Sequence, residues 1–180
     1  MIRTTLIVVA IVLLVAVAAI LAIAAMRPDT FRVQRSALIN APPERIFPLI
    51  ADLRRWSAWS PWEKKDPAMQ RTFGGAERGV GATYAWEGDK NVGTGRMEII
   101  EATPPSRVAI KLDFVRPFEA HNTVTFTLTP QGDGTQVLWA MDGPVPFLFR
   151  IVHLFMNMDR MVGGDFEQGL AALKAEAEKP

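Results

Sequence analysis

The sequence predicts an α+β fold: an antiparallel sheet of about seven strands closed by one long C-terminal helix, with a separate apolar helix ahead of it. Three observations carry this. An uninterrupted apolar run fills the N-terminus. The middle of the chain is a series of short alternating segments parted by Gly, Pro and Asp, the pattern of a meander with one dry and one wet face. Beyond Pro146 the apolar spacing changes from two to three and four, which is helical.

From Leu6 to Met26 every residue is Leu, Ile, Val, Ala or Met. As a helix this run reaches roughly 31 Å, enough to cross a hydrocarbon core. Ala22-Ile23-Ala24 has the small-residue spacing of a leader cleavage site, so a cleaved signal peptide competes with a transmembrane anchor. The run exceeds the roughly 7–15 residues of a signal peptide's apolar core, which favours the anchor. A buried globular helix is the weakest reading, because no polar face exists. Arg27-Pro28-Asp29-Thr30 ends the helix, giving an anchor over 1–30 and a domain over 31–180. The basic residues on the two flanks set no clean orientation; the short N-terminus favours a domain outside the cytoplasm on a bacterial-type inner membrane.

Residues 32–39 are β-branched and apolar, a strand that stops at Asn40-Ala41-Pro42-Pro43. Proline is tolerated in a helix's first turn and Glu44 suits the positive dipole end, so a helix over 43–53 follows, with Pro48 expected to bend it. A second short helix or loop carries Trp56, Trp59 and Trp62. Strands are expected over 69–73, 82–87, 95–102, 107–115, 122–130 and 135–142. Val108, Ile110, Leu112 and Phe114 share one face, and Val124, Phe126 and Leu128 another. Phe155, Met158, Val162, Phe166, Leu170 and Leu173 then mark the closing helix, in which Gly163-Gly164 predicts a kink or break.

Composition excludes several function classes. There are 20 Lys and Arg against 19 Asp and Glu; with Arg3 removed with the first helix, the remainder nets to zero. That balance gives no electrostatic footprint for nucleic acid. No cysteine is present, so disulfides, thiolate metal sites and cysteine nucleophiles are out. His121 and His153 lack partners at metal-ligand spacing, and no phosphate loop, nucleophile elbow or dinucleotide fingerprint appears. No cofactor is expected.

The order strand, two small helices, six strands, long helix is that of a helix-grip fold. The segments Val33-Gln34-Arg35-Ser36, Ala41-Pro42-Pro43-Glu44-Arg45-Ile46-Phe47, Trp56-Ser57-Ala58-Trp59-Ser60-Pro61-Trp62, Tyr84-Ala85-Trp86 and Gly134-Thr135-Gln136-Val137-Leu138-Trp139, with the closing Phe166-Glu167-Gln168-Gly169-Leu170, resemble the SRPBCC (START-like, Bet v 1-like) superfamily. Within it the likeness is to the polyketide cyclase/dehydrase and lipid transport branch. The resemblance covers 33–176 and implies a hydrophobic tunnel between a curved sheet and its gripped helix. It implies no single chemistry, because one fold hosts many functions.

Trp56, Trp59, Tyr84, Trp86, Met97, Phe114, Phe126, Trp139, Met141, Phe155, Met158 and Val162 are the expected cavity wall. The bland alternative is that they are core, with the tryptophans as packing anchors whose indole N–H groups bond to backbone. Titratable candidates for catalysis are Glu98, Asp113, His121 and Tyr84, but strand parity turns Asp113 outward, and Glu98 with it if Met97 faces in. The favoured function is a membrane-anchored binding or carrier module for a lipid, isoprenoid or polyketide-like molecule. A protein-interaction module of a membrane complex and a cyclase or aromatase enzyme are the competing readings.

Overall fold

The computed structural model describes residues 2–180. Helix α1 (Ile2–Ala25) is exposed almost throughout and apolar on every face, long and apolar enough to cross a membrane by length and composition. Its exposure removes the reading of a helix buried in the globular core.

Strand β1 (Thr30–Ile39) leads into α2 (Pro43–Ala51), a 3-10 helix (Leu53–Ala58) and α3 (Pro61–Lys65). Pro43 and Pro61 each open a helix where the first amides have no intrahelical partner. Six strands follow: β2 (Gln70–Gly75), β3 (Ala82–Glu87), β4 (Thr94–Thr103), β5 (Arg107–Arg116), β6 (Ala120–Gln131) and β7 (Gly134–Pro144). The short α4 (Phe147–Val152) and the long α5 (Met158–Ala177) finish the chain.

All seven strands join one antiparallel sheet in the order β1-β7-β6-β5-β4-β3-β2. Consecutive strands pair from β2 to β7, and β1 returns to pair with β7 through the register Val33 opposite Met141. Strand β4 carries register shifts at Thr94/Gly95 and Ile99/Glu101, irregularities of the kind that bend a strand. Helix α5 lies along the inner face, packed most closely against β1, with α2 and α3 beside it.

One end of the gap between sheet and α5 is solid. Trp139 stacks on Phe166 with ring centroids 4.2 Å apart, and Trp59 and Phe126 close in at 5.6 and 4.9 Å. Gly169 makes this approach feasible, since a Cβ there would lie 2.6 Å from Trp139 Cζ3. The glycines at 163 and 164 do not break α5, which runs continuously through them. Gly163 instead leaves room for the Arg35 guanidinium, which crosses the helix to reach Asp159 at 2.9 Å and Glu167 at 2.6 Å. The helical break lies earlier, at 153–157, where the Asn157 side chain caps α5 by accepting from the Arg160 amide at 2.9 Å.

Candidate functional site: an apolar cavity under the first half of the closing helix

The other end of the gap is open. A cavity of about 500 Å³ lies between the sheet and the N-terminal half of α5. Strand alternation supplies its floor: Met97 from β4, Ile110, Leu112 and Phe114 from β5, Val124 from β6 and Met141 from β7 all turn to the same face. Met158, Val162 and Phe166 of α5 form the roof, and Trp56, Trp62, Tyr84 and Trp86 the far wall.

Nine of the twelve residues expected from sequence line this space: Trp56, Tyr84, Trp86, Met97, Phe114, Trp139, Met141, Met158 and Val162. The other three do not. Trp59 and Phe126 are fully buried in the solid end, where their rings meet edge to face at 6.0 Å. Phe155 is 74% exposed, because the chain turns out of helix between α4 and α5 and carries it away from the roof. Trp56 is both wall and anchor: its indole N–H donates to the Ile50 carbonyl at 3.0 Å, as Trp59 donates to Leu49 at 2.9 Å.

Polar groups are a minority of the wall: Ser60, Glu63, Tyr84, Glu119, His121, Asn122, His153 and Asp165, of which the sequence reading named Tyr84 and the two histidines. The Glu63 side chain, only 9% exposed, accepts from Tyr84 Oη at 2.7 Å and from Arg71 Nε at 2.7 Å. Burial first, then this bond, push the Tyr84 phenol well above its ordinary value, so it stays protonated and acts as donor. The bond to Glu63 likewise raises the Arg71 guanidinium. Ser60 and Asn122 also line the cavity, are 3% and 7% exposed, and have no side-chain hydrogen-bond partner among the described residues. Gly143 makes the Asn122 position feasible, since a Cβ there would fall 2.0 Å from Asn122 Oδ1. Parity with Val124 and Phe126 was the signal for Asn122; nothing local marks Glu63 as buried.

Of the remaining titratable candidates, His121 stands on the cavity lining, and Asp113 and Glu98 sit elsewhere. Asp113 is on the outer face, where His121 Nδ1 lies 2.7 Å from it and Lys111 and Arg96 complete a cluster. Burial raises the Asp113 carboxyl, but the bonds from His121, Lys111 and Arg96 outweigh it and hold it below the usual range. The same His121–Asp113 bond raises the histidine. Glu98 is exposed on that outer face too, opposite Lys111. Among the described residues no three His, Asp or Glu side chains gather into a metal-holding group.

A seven-stranded antiparallel sheet gripping a C-terminal helix over a hydrophobic cavity is a helix-grip protein of the START-like, Bet v 1-like class. Sequence places it further: residues 30–178 match the family model for polyketide cyclase/dehydrase and lipid transport, and the chain belongs to that family. A comparison with curated proteins gave no match. Among solved structures, protein CV1439 from Chromobacterium violaceum is 18% identical with a TM-score of 0.60, over 86% of this chain and 100% of that one. Protein MLL2253 from Mesorhizobium loti is 20% identical with a TM-score of 0.56, over 81% and 98%. The di-domain ARO/CYC BexL from the BE-7585A biosynthetic pathway is 12% identical with a TM-score of 0.61, over 87% of this chain and 52% of that one. At these identities the likeness is one of fold.

Proposed function

We propose that this protein is a membrane-anchored binding or carrier module for a small hydrophobic molecule that bears a hydrogen-bonding group. The observation that carries the reading is the cavity: about 500 Å³, walled by aromatic and methionine side chains, within the size range of small-molecule sites. Methionines adapt to irregular guests and aromatic walls accept flat or chain-like ones, which suits a lipid, isoprenoid or polyketide-like compound. A wholly apolar guest would leave Ser60 and Asn122 unpaired at a cost of about 1–3 kcal/mol each, so a guest with a hydroxyl, carbonyl or ester fits better.

In this reading α1 is retained as a transmembrane helix, and its role is to hold the cavity beside a reservoir of apolar ligand at high effective concentration. Intact mass of the membrane-extracted protein tests retention, since a cleaved leader would remove the residues up to Ala24. Ligand binding is tested by native mass spectrometry and solvent extraction of the full chain purified from membranes. A near-stoichiometric hydrophobic molecule is expected, and its loss in Val162→Trp, which fills the cavity from the helix side. Recovery of nothing from the unaltered protein, or equal recovery from the filled variant, would sink the proposal.

A further inference from the structure

We infer that the mouth of the cavity is seated on the lipid bilayer, with α4 and the turn after it inserted at the boundary between headgroups and acyl chains. This rests on the reading of α1 as a membrane anchor. Most of the large apolar side chains that the domain exposes are concentrated in one place, with Leu38, Val80 and Ile100 apart from them. Leu148 is 69% exposed, Phe155 74% and Met161 54%, all within one stretch of chain, and Phe118 beside them is 64% exposed with its ring 5.6 Å from Phe149. No residue of α4 is buried, so its apolar sequence Phe-Leu-Phe-Arg-Ile-Val is not explained by the core. A contiguous apolar patch of this kind marks an interaction surface.

The position of α1 says what covers it. Only Met26 to Asp29 separate α1 from β1, a link that spans at most about 14 Å when fully extended. It is also pinned: the Val145 amide donates to the Asp29 carbonyl at 2.6 Å and Arg150 Nη1 to the Arg27 carbonyl at 3.4 Å. The last turns of α1 pack on α4, and Ala24 is fully buried. A bilayer crossed by α1 therefore meets α4 and its exposed neighbours first. Because Phe118, Met156 and Met161 of this surface also line the cavity, the cavity opens into lipid and its guest exchanges without passing through water.

The chain has no cysteine, so a single one can be placed at will. The full chain carrying Leu148→Cys, Phe155→Cys or Val80→Cys, each labelled with an environment-sensitive fluorophore, is reconstituted in vesicles of phosphatidylcholine and phosphatidylglycerol. Val80, 58% exposed in the turn at the opposite end of the sheet, is the reference. Emission at 148 and 155 should rise several-fold over that at 80 and be quenched by nitroxide-bearing phospholipid, with no quenching at 80. Flotation of the protein with the vesicles while 148 and 155 behave like 80 would overturn the docking and leave the anchor standing. Shielding at 148 and 155 without quenching by nitroxide lipid would mean that another protein surface or a second copy covers them, which also overturns it. Failure to float would take down the anchor and the docking together.

Discussion

Replacing Gly169 with alanine tests whether the gap between sheet and helix is closed at the Trp139 end, as the division into a solid and an open half requires. Any Gly→Ala change inside α5 gains about 1 kcal/mol in helix propensity. At Gly164 a Cβ would meet nothing within 4 Å, so Gly164→Ala should show that gain alone. At Gly169 the methyl would sit 2.6 Å from Trp139 Cζ3 and 3.1 Å from Pro61 Cδ, well inside the roughly 3.5–4.0 Å of a relaxed carbon contact. Trp139 is stacked on Phe166 and hemmed by Trp59, Trp62 and Phe126, so it yields only by disturbing that cluster. Overpacking of this kind costs about 1–3 kcal/mol.

The propensity gain is common to both variants and cancels in their difference. Gly169→Ala should therefore be less stable than Gly164→Ala by about 1–3 kcal/mol. Gly163→Ala should fall between them: the atoms nearest its methyl are those of the Arg35 guanidinium, the far end of a flexible side chain, and the ion pairs lost are to exposed carboxylates worth about 0–1 kcal/mol each. Urea unfolding of the detergent-solubilised full chain, followed by tryptophan fluorescence, reads all three. Equal midpoints for Gly169→Ala and Gly164→Ala would mean that α5 stands off the sheet there too, and the two-part description of the gap would be wrong.

Tyr84→Phe removes one of the two donors to the buried Glu63 carboxylate and should destabilise the protein by about 2 kcal/mol, measured in the same unfolding assay, with Arg71 left to hold the charge. Asn122→Leu should weaken a guest that hydrogen-bonds there by about fivefold in a titration, the loss of roughly one hydrogen bond. The His121–Asp113 pair makes stability depend on pH. The raised histidine contributes fully below its unfolded value of about 6.5 and loses its contribution as pH rises through the folded value; the lowered aspartate contributes fully above about 3.9 and loses its contribution as pH falls through its own folded value. The melting temperature gap between the unaltered protein and His121→Gln should thus be widest between those two values and shrink on either side. A gap constant across that range would mean the pair is not formed.

Period and parity made much of this fold legible. The alternation of Val108, Ile110 and Leu112 fixed a strand and its inner face, and the same parity correctly turned Asp113 away from the cavity. The indole-to-backbone bonds of Trp56 and Trp59 are what the packing reading of the tryptophans anticipated. Period says which way a side chain points, however, and not how far the opposite element stands off. That is why Trp59 and Phe126, which do point inward, lie in packed core instead of on the cavity wall. The distance is set by Gly169 and by the bulk of Trp139, a pairing between residues 30 apart that no local window contains. Phe155 went astray for another reason: its spacing to Met158 fits a helix, but Asn157 starts that helix, and a cap preference outweighs one matching interval. Glu63 lies in the charged run Glu63-Lys64-Lys65-Asp66, which reads as solvated, and only partners 8 and 21 residues away make its burial tolerable.

The arrangement of solid and open halves also bears on why the cavity survives folding at all. An empty apolar space forfeits dispersion contacts, so a fold tolerates one only when the elements around it are held apart by something else. Here two sets of contacts do this. At one end the aromatic stack of Trp139 and Phe166 fixes the spacing of α5 from the sheet. Beside that stack, Arg35, which pairs with Trp139 across β1 and β7, ties Asp159 in the first turn of α5 and Glu167 in its third to the edge strand β1. The helix is thus held at its middle and along one side, chiefly by the aromatic stack, above Met97, Leu112 and Met141. Filling the space from within would demand larger residues at those positions; methionine and leucine leave it to be filled from outside.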